Sequence, residues 1–226
     1  MTDSDSTQRL LQLFADILDY PRSGPPGGPV RECESVAAPL SAEATALLRE
    51  FRAFAESVNL GRLEEVYSST FDLDPSCYPY VGYHLLGESY KRSAFLQEIR
   101  SHYRAEGFVE GTELPDHIAV MLRFAAVTRD TDTAKEIVSH ALLPALERMT
   151  GRAKSAGFDD EATPTVPAQG RRGGPYRGVL EALRLCLQAL AEQDGQRHTS
   201  EEVPQTAGPA ALVDGPSMNT TDTRRR

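Results

Sequence analysis

A chain of 226 residues has room for one domain of moderate size with a tail, and 40% hydrophobic content with 7% aromatics and no Trp suits an aliphatic helical core. Its 33 acidic residues outnumber 24 basic ones, three of which are Arg224, Arg225 and Arg226, so the body lacks the Lys and Arg excess that displaces counterions from nucleic acid. The cysteines Cys33, Cys77 and Cys186 form no C-x-x-C pair, the first residues read M-T-D-S-D-S-T rather than a secretory signal, and no window of 18 apolar residues occurs; a cytoplasmic protein with reduced thiols follows.

From Thr7 to Tyr20, apolar residues at Leu10, Leu11, Phe14, Ile17 and Leu18 give a helical stripe that Pro21 stops. Arg22 to Pro39, with S-G-P-P-G-G-P inside it, has no periodicity and reads as a loop. Ser41 caps a helix whose inner face is Leu47, Leu48, Phe51, Phe54, Ala55 and Val58, and Asn59-Leu60-Gly61 breaks it. A helix from Leu63 to Thr70 leads into a turn from Asp72 to Pro79. A short helix from Tyr80 to Leu86 ends at Gly87, and a longer one from Glu88 to Glu106 is closed by Gly107. Pro115 fits the first position of the next helix, with Val120, Met121, Phe124 and Ala125 inward. Asp130 to Met149 is helical with Ile137, Val138, Leu142 and Leu146 on one side, and Pro144 should kink it. Ala153 to Gly174 reads as a mobile connection. Pro175 to Gln193 is a last helix, with Val179, Leu180, Leu183, Cys186, Leu187 and Leu190 apolar. The expectation is an all-α, single-domain bundle of about seven helices over residues 1–193, followed by a disordered tail over 194–226 whose composition cannot offset its ordering entropy.

The chain offers little chemistry. His84, His102, His117 and His140 stand in separate segments without ligand spacing, so no metal is expected, and no cofactor. The Gly-rich pieces lack phosphate-loop spacing, one of them (G-R-R-G-G-P-Y-R-G) reading as a flexible linker that could touch an anion. Glu64 with Glu65, and Asp72 with Asp74, are explained as helix and turn residues rather than acid–base pairs. No catalytic residue and no enzyme are expected. What stands out instead are two dense blocks, L-E-E-V-Y-S-S-T-F-D-L-D-P through Y-P-Y-V-G-Y-H-L-L-G-E-S-Y-K-R (Leu63 to Arg92), and E-L-P-D-H-I-A-V-M-L-R-F (Glu113 to Phe124). Tyrosines with an apolar body and a polar tip suit a surface that grips a polypeptide, and Tyr80 and His84 are four apart, on one helix face. Core tyrosines with satisfied hydroxyls are the plain alternative.

These blocks, with L-L-Q-L-F-A-D-I-L-D-Y-P (Leu10 to Pro21) and Y-R-A-E-G-F (Tyr103 to Phe108), resemble the NarJ-type assembly chaperones of molybdenum oxidoreductases, the nitrate reductase delta subunit-like members of the TorD/DmsD-like superfamily. The resemblance spans about Leu10 to Met149. Tyr78-Pro79-Tyr80-Val81-Gly82 and Gly87-Glu88-Ser89-Tyr90-Lys91-Arg92 depart from the nitrate-reductase pattern toward chaperones of selenate, perchlorate, chlorate, dimethyl sulfide or ethylbenzene enzymes. The resemblance implies a TorD-like fold and a cytoplasmic protein that binds the N-terminal leader of a molybdopterin-containing catalytic subunit. That subunit is held for insertion of molybdenum cofactor and an iron–sulfur cluster, with export delayed where the leader is of the twin-arginine kind. It assigns Tyr67, Phe71, Asp72, Tyr80, Tyr83, His84 and Glu88 to peptide binding, and Glu113, Pro115, Asp116 and His117 to a hinge; the histidine type of His117 by itself suggests titration near neutral pH. A monomer is expected, with a domain-swapped dimer permitted by the long loops. The alternative is a helical scaffold or regulator that binds a folded partner or a nucleotide.

Overall fold

A computed structural model describes residues 3–22, 27–153 and 174–201. The expected mobile connection, from 154 to 173, and the expected tail from 202 onward lie outside them. The described residues are helical, with no named strand among them and one isolated antiparallel bridge, Tyr80 to His117.

Helix α1 (Asp3–Ile17) buries Leu10, Leu11, Leu13, Phe14 and Ile17 against α7 and α2, each side chain contributing about 1.5–3 kcal/mol of apolar burial. Helix α2 (Gly28–Ala37) occupies a stretch read from sequence as loop, and that reading is corrected. Gly27 turns the chain at φ 95°, Pro29 sits in the first turn with φ already set, and Val30, Cys33 and Ala37 recur at spacings of three and four as a buried stripe. The adjoining Gly and Pro masked that stripe.

Helix α3 (Ala42–Ser57) starts as expected, the Ser41 hydroxyl accepting the Ala44 N–H at 3.1 Å. Asn59 does not break the chain but caps α4 (Leu60–Phe71), its side-chain oxygen accepting the Arg62 N–H at 2.9 Å; Gly61 is tolerated in the first turn. A 3₁₀ turn, Pro75–Cys77, is opened by Asp74, and then come α5 (Val81–Leu86) and α6 (Tyr90–Ala105). Gly87 and Gly107 follow these two helices at φ 63° and 66°, a conformation glycine adopts without penalty.

Helix α7 (Ile118–Val127) begins later than Pro115 suggested, because His117 rather than a proline supplies its cap. The helix expected over 130–149 is helical throughout, in three consecutive pieces: α8 (Thr131–Glu136), a π-helical stretch (Ile137–Leu142) and α9 (Leu143–Met149). The Leu143 N–H donates to the Val138 carbonyl five residues back. The wider turn makes room for the Pro144 ring, so the proline is accommodated by a π-bulge. Helix α10 (Pro175–Glu201) runs past Gln193, and Asp194 pairs with Lys135 at 3.1 Å.

Packing runs in a ring. Helix α7 lies on α1, α1 on α2, α2 on α3, α3 along α10, and α10 on α9, which returns through the π segment to α7. Tyr176 of α10 fills the centre, its ring 4.9 Å from Phe51, 5.3 Å from Phe71 and 5.4 Å from Tyr67.

Candidate functional site

The two dense blocks meet. Pro79 and Tyr80 run antiparallel to Asp116 and His117, joined by the Val81 N–H to the Asp116 carbonyl at 2.8 Å and the Ile118 N–H to the Pro79 carbonyl at 2.7 Å. Residues about 35 apart in the chain thereby form one junction between the starts of α5 and α7.

Asp116 is its electrostatic centre. The carboxylate is fully buried, and Oδ2 accepts the Arg92 Nε–H at 3.0 Å; Arg92 Nη2 lies 2.9 Å from the same oxygen, at ion-pair distance but outside hydrogen-bond alignment. Oδ1 has no hydrogen-bond partner among the described residues. Burial raises the pKa of Asp116 above the ordinary carboxylate value, against the pull of Arg92. Gly82 makes the approach possible: a Cβ there would stand 2.8 Å from Oδ2 and 2.9 Å from Phe95. Arg92 also lies over the Tyr80 ring, 5.5 Å from its centroid.

Both histidines are held neutral. His84 is fully buried, with Nε2 2.7 Å from the Tyr78 carbonyl, which fixes the proton on Nε2 and leaves Nδ1 an acceptor without a partner among the described residues. His117 Nδ1 accepts the Ala119 N–H at 3.2 Å as the α7 cap, and desolvation pushes its pKa down to about 4. Titration near neutral pH, expected from its residue type, is therefore overturned by burial.

The candidate peptide residues divide by depth. Tyr67 and Phe71 belong to the core: the Tyr67 hydroxyl donates to the Leu18 carbonyl at 3.2 Å, and the two rings lie 4.7 Å apart. Tyr83 is nearly buried, stacked edge-on to His84 at 5.5 Å. Tyr80 is half-buried, with its ring 5.7 Å from that of His117, and Asp72 and Glu88 are exposed. Of the hinge candidates, Pro115 is buried and its carbonyl accepts the Tyr103 hydroxyl at 2.8 Å, while Glu113 is half-exposed.

Of the residues around this junction, Asp19, Tyr20, Leu73 and Leu114 were not singled out from sequence. Asp72 and Glu113 act electrostatically on both Tyr67 and Tyr80, and Asp19 acts on Tyr67 and His117, so three carboxylates surround this junction. Each is followed by an exposed apolar residue: Tyr20 (38% exposed), Leu73 (76%) and Leu114 (41%). Tyr20 packs on Tyr67 with centroids 5.4 Å apart, which ties that residue to the junction. Asp19 is paired with Arg123 at 2.7 Å; Asp72 and Glu113 have no ion-pair partner among the described residues. The repeated acidic-then-apolar dipeptide is the signal that was present in the sequence, but its three copies lie in three segments.

Away from the junction, an open groove of about 710 Å³ between α3 and α10 is lined by Glu43, Leu47, Phe51, Phe54, Arg177 and Glu181, among others. Its charges are largely compensated, Arg177 by Asp74 at 3.0 Å and Glu181 by Arg184 at 2.7 Å. Among the described residues no three His, Cys, Asp or Glu side chains converge on a metal position, and no helix is long and apolar enough to cross a membrane. The cysteines are free and buried, with burial pushing the Cys77 thiol up to about 11 and the Cys186 thiol up to about 12, so none is poised as a nucleophile.

Comparison with curated proteins returned no match. The model of the family described as nitrate reductase delta subunit matches residues 37–152, from the end of α2 to just beyond α9, and so contains the whole α5–α7 junction. The chain belongs to the nitrate reductase delta subunit family, the NarJ-type assembly chaperones of molybdoenzymes.

Proposed function

We propose that this chaperone, in the cytoplasm, holds the N-terminal leader of a molybdopterin-containing catalytic subunit across the α5–α7 junction until cofactor is inserted. The family is one of assembly factors rather than catalysts and serves molybdoenzyme catalytic subunits. The observation that carries the leader reading is the combination at one place of Tyr20, Leu73, Tyr80 and Leu114 with Asp19, Asp72 and Glu113. An amphipathic cationic segment would lay apolar side chains on the former and its arginines against the latter, a helix-in-groove recognition with charge-assisted hydrogen bonds at the rim. Glu88, exposed beyond α5, extends that rim. Tyr67, Phe71, Tyr83 and His84 support the surface from beneath, since their burial removes them from direct contact in this conformation. Release must follow loading, which sets the affinity at roughly −8 to −12 kcal/mol, micromolar to nanomolar.

Where the leader is of the twin-arginine kind, the same occupation masks it from export. The departures at Tyr78 to Gly82 and Gly87 to Arg92 favour a client outside the nitrate reductases proper, of the selenate, perchlorate or dimethyl sulfide type. The test is calorimetry with a synthetic peptide of the N-terminal leader of a molybdopterin-containing catalytic subunit from the same organism. Tyr80→Ala should weaken binding by about 1–3 kcal/mol and Asp72→Asn with Glu113→Gln by a similar total. Unchanged affinity in both folded variants would place the leader elsewhere, the α3–α10 groove being the first alternative.

A further inference from the structure

We infer that the chain carries its own competitor for this surface: the segment from Leu212 to Arg226, ending in Arg224-Arg225-Arg226, docks on the α5–α7 junction and must be displaced by the client leader. The inference rests on the leader-binding reading and adds its regulation.

Charge complementarity singles out this occupant. The body is acidic, and the segment beyond Glu201 has only three basic residues, all adjacent. At the junction, Asp72 and Glu113 have no ion-pair partner among the described residues, unlike Glu34, Glu56, Glu110 and Glu181, which are paired. Exposed apolar positions accompany the acids, Leu73 most of all, and the segment provides Leu212, Val213 and Met218 ahead of its arginines. Asp214 and Asp222 within the segment offset two of the three charges, leaving the cationic character to the terminal arginine cluster and keeping the contact weak enough to yield.

The chain is long enough. Tyr176, near the start of α10, packs on Tyr67 and Phe71 directly beneath the junction, and α10 then carries the chain away to Glu201, roughly 38 Å at 1.5 Å per residue. Extended, the residues from 202 to 224 reach roughly 75 Å at about 3.3 Å each. As a coil they average about 25–29 Å end to end. The return is therefore possible but stretched, which holds the effective concentration of the arginines at the junction below the millimolar level of a short linker. A tether of that kind gives a competitor that is partly bound at rest. It screens the surface from weak cationic segments and gives way to a leader that makes the apolar contacts as well.

The experiment uses the full chain and a full-length variant, R224S/R225S/R226S. The leader peptide should bind the variant about two- to tenfold more tightly at low ionic strength, with the difference shrinking at 0.5 M salt, since exposed ion pairs are individually weak and screened. Independently of any leader, a synthetic peptide of residues 212–226 should bind the variant in trans and lose that binding when Asp72→Asn and Glu113→Gln are added. The same peptide with its arginines replaced by serine should not bind. If the 212–226 peptide fails to bind, or if both chains bind the leader equally, the inference falls. If the native chain associates with increasing concentration while R224S/R225S/R226S does not, the arginines act between copies and intramolecular docking is overturned. If the tail peptide binds but the leader binds neither chain, the docking stands and the leader-binding reading fails instead.

Discussion

His117 shows how a residue's environment reverses what its type suggests. As a sequence symbol, a histidine beside Asp116 is a candidate switch near neutral pH. In the structure it is 3% exposed, its Nδ1 accepts the Ala119 N–H, and its pKa is pushed down to about 4. The unfolded chain then binds a proton at about 6.5 that the folded chain refuses. The stabilising contribution is complete above about 6.5, is lost progressively as pH falls toward 4, and amounts to roughly 2–3 kcal/mol by pH 4.5. His84, lowered by burial, acts in the same direction, whereas Asp116, raised by burial, gains stability on acidification just above the ordinary carboxylate range. Asp19 and Asp72 pull His117 toward the charged form and Arg123 pushes it away, so the three partly cancel. His117→Asn keeps an oxygen to cap α7 and removes the proton site. Urea unfolding at pH 7 and pH 4.5 should show the acid loss shrinking by about 2 kcal/mol in this variant. An undiminished loss would mean that another group takes up the proton.

Among the elements, α2 owes its place to two kinds of contact. Val30, Cys33 and Ala37 are buried, and charges join α2 to α3, Glu34 to Arg52 at 2.5 Å and Arg31 to Glu56 at 2.8 Å, while Arg52 and Glu56 also pair within α3 at 3.2 Å. Glu34 is only 12% exposed, so removing its principal cation leaves a poorly hydrated carboxylate with Arg49 at 4.0 Å as its remaining neighbour. Arg52→Ala should lower stability by about 1–2 kcal/mol, more than an ordinary surface change. Hydrogen exchange should show the protection of α2 falling before that of α7. Unaltered melting and exchange would show that the apolar stripe alone secures the helix. The π segment makes a related point, since the expected kink at Pro144 is absorbed in a widened turn whose Ala141 and Leu142 remain buried.

For the molecule as a whole, stability resides in the ring of helices closed by α10 on α3. Among the α10 residues whose side chains are described, the last buried one is Leu187, and from Leu190 to Gln196 they are half-buried or exposed. Removing residues 202–226 should therefore leave the thermal midpoint within about 5 °C of the full chain, a limit of roughly 1–2.5 kcal/mol for a domain of this size. Differential scanning calorimetry checks it, and a larger fall would show that the segment contributes to the core. The family match covers 37–152, so α1, most of α2 and α10, which complete the ring, lie outside the matched residues while the junction lies inside.

Periodicity alone determined the all-α class, the inner faces of α1, α3 and α10, and the ends at Gly87 and Gly107, because these depend on residues three or four apart and on backbone conformations favoured by glycine. The two blocks that mark the family were likewise legible as ordered motifs. Local sequence misled at Asn59, where a cap resembled a breaker, and at Val30 to Ala37, where a buried stripe of three small side chains followed a Gly-Pro run. Only the tertiary structure joined Tyr80 to His117, sent Tyr67 and Phe71 into the core, and gathered Asp19, Asp72 and Glu113 around one patch. The reason is physical: burial, pKa and charge pairing are set by neighbours distant in sequence, such as Arg92 for Asp116 and Tyr176 for Tyr67. A helix face reads its own period, but not what will be packed against it.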